Sequence, residues 1–452
     1  MLPRWFIPVN SLCRGRSRSA HPTWRWTGLI LLCFAFVAGS YIFFHLARLS
    51  RGYYGPSALP SITHDIAESI SPGQQRLVII LPVDSPSTNL CKLISSAVAL
   101  GYPAPVLVNW HRDYHQDVNG VGPSQLGKIT GVLEYLQWAT GQEASEAGRL
   151  AENDLVLMLD AHDVWMQLPP EILISRYYSS NARANRRLAE EYRLQNPDVV
   201  RQTIITAAQK GCVAPRDTIS DMHCNDVPES TLPADVFGFF TDYTFGRWRY
   251  MRPRFLNSGS FMGPAGDMLR YLERVKEKMD QDIQKMTSPD DLGGDQGIFA
   301  EVFGEQEVVR KRLLTRDGAR TEAREDPATA AIERFDFHIG LDYEQELFYP
   351  TCYSENGGAF VRVHNLSELS EESSLAGVSP PRLQDLPMDI ATSARPLENL
   401  GDKDRKGWGE VPLYADLWTT SIPAVLHHNA WRHGEKERRV TWWHRTWAAF
   451  PL

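Results

Sequence analysis

The sequence predicts an α/β fold, a Rossmann-like mixed and mostly parallel sheet with flanking helices, preceded by one transmembrane helix. Two observations carry this. Short apolar runs alternate with helical patterns from Arg76 to Ala208, and the runs are continuously apolar, as strands covered on both faces are. Nearer the N-terminus, Gly28–Ala47 carries no acidic or basic side chain apart from His45, and about 20 such residues cross a hydrocarbon core of roughly 30 Å.

That segment reads as an uncleaved signal-anchor. It is longer than the apolar region of a cleaved leader, and it ends in bulky residues where a cleavage site needs small ones. Residues 1–51 hold seven arginines and no acidic side chain; five arginines precede the segment and two follow it. This asymmetry puts residues 1–27 in the cytosol and the rest in the lumen of the secretory pathway, behind an endoplasmic-reticulum or Golgi membrane. Residues 48–75, with Pro56, Pro60, Pro72 and Gly73, read as a stem, and residues 76–452 as a lumenal domain.

Within that domain RLVIIL (76–81) is the first buried strand. A helix over 89–100 is closed by Gly101, and APVLVNW (104–110) is the second strand. A helix over 124–140 leads to DLVLML (154–159), and Pro169-Pro170 suits the start of the next helix. Residues 203–208 form a further strand. This strand–helix alternation indicates a doubly wound sheet, in which ligands bind beyond the carboxyl ends of the strands. The residues after VLVNW, DLVLML and TIITAA are therefore the site candidates. Residues 366–411, rich in Ser, Pro and acidic side chains and without periodicity, read as a mobile insertion. IPAVLHHN looks like a strand returning to the core ahead of a basic and aromatic tail.

Outside the N-terminal arginines the chain has 40 basic and 55 acidic side chains, which excludes a nucleic-acid polymer as partner. GxSxG, Walker A and HExxH patterns are absent. Four cysteines fall in the lumenal part. Cys212 and Cys224 are expected to close a short loop, with Cys91–Cys352 the default second bridge; their spacing fits no zinc template. Asn365-Leu366-Ser367 is a glycosylation sequon.

The most informative segment is DLVLMLDAHDVW (154–165). A buried strand runs directly into Asp160 and Asp163, and two carboxylates at such an exit can converge on a hard divalent cation shared with substrate phosphates. The structural alternative is that Asp163 caps a turn and Asp160 pairs with an arginine.

With this motif the chain resembles the collagen hydroxylysine glycosyltransferases, in particular the glycosyltransferase domain of the multifunctional lysyl hydroxylases. RFLNSGSFMGP (254–264), GGDQGIFAEVF (293–303), AVLHHN (424–429) and NGVGPSQLGKITGVLEYL (119–136) are similar to that family's motifs, in the same order, over about residues 76–430. The resemblance implies a GT-A-like fold, Mn2+ as cofactor, and transfer of glucose or galactose from a UDP-sugar to a protein or glycan hydroxyl. Asp160, Asp163 and His427 would be the metal ligands; His428 and Ala430 stand where the family has glycines, which leaves His428 as a rival to His427. Lys128 would neutralise the donor diphosphate and Trp110 would stack on uracil, although a helix-surface lysine and a core tryptophan are the ordinary readings. Asp160, Ser258 and Gly259 would line the donor site. Asn257 would bond the sugar or acceptor, Asp295 and Gln296 would orient donor hydroxyls, and Asp295 would be the catalytic acid/base or charge-stabilising group. For Asp295 a helix N-cap, and for Asn257–Gly259 a tight turn, are the structural alternatives. A lysyl hydroxylase domain, which would need a further long region, is not expected. The rival functions are an inactive transferase-like partner or chaperone, a hydrolase using Asp160 and Asp163 directly, and a metal-free sugar-binding module.

Overall fold

In the computed structural model each predicted apolar run becomes a strand because both of its faces find cover. The structure describes residues 75–448, except 113–125, 147, 193–199, 213–220, 244–247, 286–293, 316–331, 333, 355–356, 397–405 and 431. The expected cytosolic tail, signal-anchor and nearly all of the stem lie outside the described residues, and no described helix is long and apolar enough to cross a membrane.

The described part belongs to one unit, Gly73–Leu452. In chain order its elements are β1 (Leu77–Pro82), α1 (Thr88–Ala99), β2 (Val106–Val108), α2 (Gly127–Thr140), β3 (Leu155–Leu159), β4 (Val164–Met166), α3 (Pro170–Tyr192), β5 (Ile204–Gln209), β6 (Phe255–Pro264), α4 (Ala265–Ile283), α5 (Gly294–Thr315), β7 (Ile339–Asp342), β8 (Phe348–Pro350), β9 (Gly358–Val361), α6 (Leu366–Leu375), α7 (Met388–Ala391), β10 (Leu413–Asp416), β11 (Val425–His427) and α8 (Arg438–Thr441).

Six strands form the central sheet in the order β2-β1-β3-β6-β5-β7. The pairs β1/β2, β1/β3 and β5/β7 are parallel, while β6 runs antiparallel to both β3 and β5. The period-2 alternation of strand side chains then builds two cores. Leu155, Leu157 and Leu159 point to one face with Leu93 of α1 and Leu173 of α3. Val156 and Met158 point to the other, against Ile129 of α2, Leu272 of α4 and Phe299 of α5. Each of these buried apolar side chains contributes about 1.5–3 kcal/mol.

A second, three-stranded sheet has the order β4-β11-β8. β11 pairs antiparallel to β4, with His427 opposite Val164, and parallel to β8. The chain therefore leaves the large sheet at Leu159 and enters the small one at Val164. Asp160-Ala161-His162-Asp163 is the crossing.

Two expectations are corrected here. Residues 366–411 are not one mobile insertion: α6 and α7 form within them, and Leu369, Ile390 and Trp408 are buried in the core shared with α1 and α3. Trp408 donates its indole N–H to the carbonyl of Ala394 at 2.8 Å, so a stretch without helical period is fixed by a few large anchors. Cys212 and Cys224 form the expected disulfide. Cys91 and Cys352 do not pair, because Cys91 is exposed on α1 and Cys352 is buried just after β8.

Candidate functional site

The carboxyl ends of β1, β2 and β3 open onto a cleft of about 340 Å³ lined by Asp84, Asn109, Lys128, Asp160, Asp163 and Asp295, with Lys436 and Arg439 from the C-terminal segment. Asp160 is held by the end of the β3/β6 ladder, its N–H donating to the carbonyl of Gly259 at 2.9 Å. Asp163 is held by the small sheet: its carbonyl accepts from the N–H of His428 at 2.7 Å.

The register of β11 puts His427 between the two acids. Its Nε2 lies 3.4 Å from Asp160 Oδ2 and 3.3 Å from Asp163 Oδ1. One ligand atom from each of the three residues fits within 4.8 Å of the others. His427 Nδ1 pairs with Asn257 Oδ1 at 3.0 Å, and Asn257 is itself fixed by Gln209 at 2.9 Å. With Nδ1 engaged, Nε2 is the atom turned towards the carboxylates, and it is buried without a hydrogen-bond partner among the described residues. A buried imidazole nitrogen left unsatisfied beside two carboxylates suits a metal ion.

The neighbouring histidine does something else. The ring of His428 packs against Trp165 at 4.0 Å between centroids, and burial pushes its pKa down to about 3. It is a neutral core side chain behind the site.

Lys128 is buried on α2 beneath the cleft. Its ammonium donates to Asp160 Oδ1 at 2.6 Å, to Asp295 Oδ2 at 2.8 Å and to the carbonyl of Ser258 at 2.7 Å. Burial by itself would lower its pKa, but the two carboxylates outweigh that and hold it above the ordinary lysine value. All three N–H donors are engaged, so in this arrangement Lys128 acts on the cleft through Asp160 and Asp295 rather than through a phosphate. Burial likewise opposes ionisation of Asp163, yet His427, Lys436 and Arg439 hold its carboxyl below the usual range, in the charged form a metal requires.

The remaining predicted residues support this centre. Ser258 donates its hydroxyl to Asp295 Oδ2 at 3.0 Å. Gln296 accepts from the Ser258 N–H at 2.9 Å and donates to the carbonyl of Leu256 at 2.8 Å, so it clamps α5 to β6 rather than facing the cleft. Asn257, Ser258 and Gly259 are not a tight turn but the interior of β6. Gly259 makes room for His427 rather than for a ligand: a Cβ there would lie 2.0 Å from His427 Cε1. Trp110 packs half-buried against the core shared with α1 and α3, and it is Asn109 that reaches the cleft. Gly293 and the motif residues 119–125 lie outside the described residues.

Sequence reasoning missed Asp84, Asn109, Lys436 and Arg439. Asp84 and Asn109 follow the first two strands of the sheet, so the strand-end rule used for Asp160 reaches them. No local signal marks Lys436 and Arg439.

The chain matches no protein-family model, and no curated protein matches it at a significant level.

Proposed function

We propose that this protein is a glycosyltransferase of GT-A-like fold that moves a hexose, glucose or galactose, from a UDP-sugar to a hydroxyl on a protein or glycan acceptor. In this reading Gly28–Ala47 anchors it in the endoplasmic-reticulum or Golgi membrane with the catalytic domain in the lumen. The observation that supports it is the buried His427 Nε2, without a hydrogen-bond partner among the described residues, facing Asp160 and Asp163 at the carboxyl ends of a mostly parallel sheet. Such strand ends are where open α/β sheets take nucleotides.

Asp160, Asp163 and His427 would hold Mn2+, whose chemistry here is to stabilise charge on the departing diphosphate. Everything else is positioning by the chain. Asn257 fixes the tautomer and direction of His427. Lys128 holds the Asp160 and Asp295 carboxylates in place between β3 and α5. Asp295, oriented by Lys128 and Ser258 and lining the cleft, is placed to accept a hydrogen bond from a sugar or acceptor hydroxyl. Orientation and a preformed field of this kind are large contributions to transfer reactions.

The test is release of UDP from UDP-glucose and UDP-galactose by purified full-length protein. Release that requires Mn2+, stops with EDTA and is absent in Asp163→Asn is expected. A folded protein that turns over no UDP-hexose under any metal condition would replace this reading with that of an inactive, transferase-like partner protein.

A further inference from the structure

The C-terminal segment returns to the cleft, and its packing decides which of its basic side chains arrive there. Trp443 sets its ring edge-on to Trp165 at 5.2 Å, and Trp442 lies at 5.9 Å from Phe360 and 6.1 Å from Tyr414. Lys92 of α1 ties the backbone down by donating to the carbonyl of Arg439 at 2.7 Å. Arg438 is spent locally, paired with Glu435 at 3.1 Å and stacked on Trp442 at 4.3 Å. Residues three apart on a helical turn share a face, so Lys436 and Arg439 project together into the cleft.

Only Lys436 has a carboxylate partner there among the described residues. Lys436 Nζ stands 3.5 Å from Asp163 Oδ2, at the carboxylate a metal would take. Arg439 pairs with no carboxylate among the described residues, and its buried Nε has no hydrogen-bond partner. A desolvated guanidinium N–H without a partner is unfavourable until an acceptor completes it. Asp160 and Asp295 are already held by Lys128.

We propose that Lys436 and Arg439 form the subsite for a diphosphate, with Arg439 bonding its oxygens and Lys436 transferring from Asp163 to the phosphate once a divalent ion occupies the acidic cluster. The proposal rests on the metal-dependent donor reading above and adds the residues that grip the anion. It also makes metal and anion binding mutually reinforcing, since Lys436 competes with the ion and assists the phosphate.

The test titrates pyrophosphate and, separately, UDP into full-length protein with saturating Mn2+, for wild type, Lys436→Gln, Arg439→Gln and Arg439→Lys. Arg439→Gln should weaken both ligands by about ten- to a hundredfold, the loss expected for one charge-assisted hydrogen bond. Arg439→Lys should recover part of it, and Lys436→Gln should weaken both ligands while binding Mn2+ alone at least as tightly as wild type. Pyrophosphate binding unchanged in Arg439→Gln and Lys436→Gln would overturn the subsite even if UDP-sugar turnover is established. Pyrophosphate that binds through these residues while UDP does not would uphold the subsite and refute the donor reading. A wild-type protein that binds neither ligand would refute both.

Discussion

Gly259 and His427 share a space that holds one side chain only, the imidazole of β11 filling the place where a Cβ on β6 would stand, 2.0 Å from Cε1. The contact joins the large sheet to the small one at the Asp160–Asp163–His427 cluster. Gly259→Ala should therefore displace the His427 ring. Overpacking of this kind costs about 1–3 kcal/mol, and the expected signature is loss of divalent-ion affinity well beyond the fall in thermal stability. Equal affinity in Gly259→Ala and wild type, measured by calorimetry, would show that His427 is not a ligand.

A second prediction concerns the anchoring of residues 366–411. Arg176 of α3 bonds Asp389 of α7 at 2.6 Å and the carbonyls of Glu346 and Ile422 at 2.8 and 2.6 Å. Arg176→Met removes all three bonds and leaves the Asp389 carboxylate without its cationic partner, and breaking a buried ionic pair costs roughly 3–5 kcal/mol. Chemical denaturation should show a loss of about 3 kcal/mol, at the lower end of that range because Asp389 is partly exposed. A change below about 0.5 kcal/mol, the size of an ordinary surface substitution, would mean that this segment is not held as described.

The Cys212–Cys224 bridge closes a loop across a sequence separation of 12. Replacing both cysteines by serine should cost about 2–3 kcal/mol. Thiol labelling of the native protein should modify Cys91 rapidly and buried Cys352 only after unfolding. Mass spectrometry that finds Cys91 linked to Cys352 would contradict the structure.

Stability should also depend on His223. Its hydrogen bond to Glu301 raises its pKa above the ordinary 6.5, against the opposing effect of burial. A raised folded-state pKa gives stability that is fully present below about 6.5 and is lost as pH rises through the folded value. The melting temperature should fall on raising pH through that window, and His223→Gln should flatten this slope. An unchanged slope would assign it to other groups.

Most of the sheet was legible because continuous apolar runs such as DLVLML have one stable home, a strand buried on both faces. Asp160 and Asp163 were legible for the same reason, since the strand end locates them. The reversed direction of β6 was not, because FLNSGSFMGP reads the same whichever way it pairs. The tasks of Lys128 and Gln296 depend on Asp295 and Ser258, which are far away in sequence. His428 equals His427 as a candidate by residue type; only the register of β11 against Val164 separates them, sending one ring to the carboxylates and the other to Trp165. Lys436 and Arg439 reach the cleft through tryptophan packing that no local pattern announces.

The central claim is a nucleotide site that exists only with a metal bound by Asp160, Asp163 and His427. The most direct measurement is a calorimetric titration of UDP into full-length protein with Mn2+, with EDTA, and in an Asp160→Asn/Asp163→Asn variant. Micromolar binding with Mn2+ that disappears in the other two conditions is predicted, a loss of roughly 4 kcal/mol or more if the affinity falls past millimolar. Binding of equal strength in EDTA, or none by well-folded wild-type protein with any divalent ion, would contradict it.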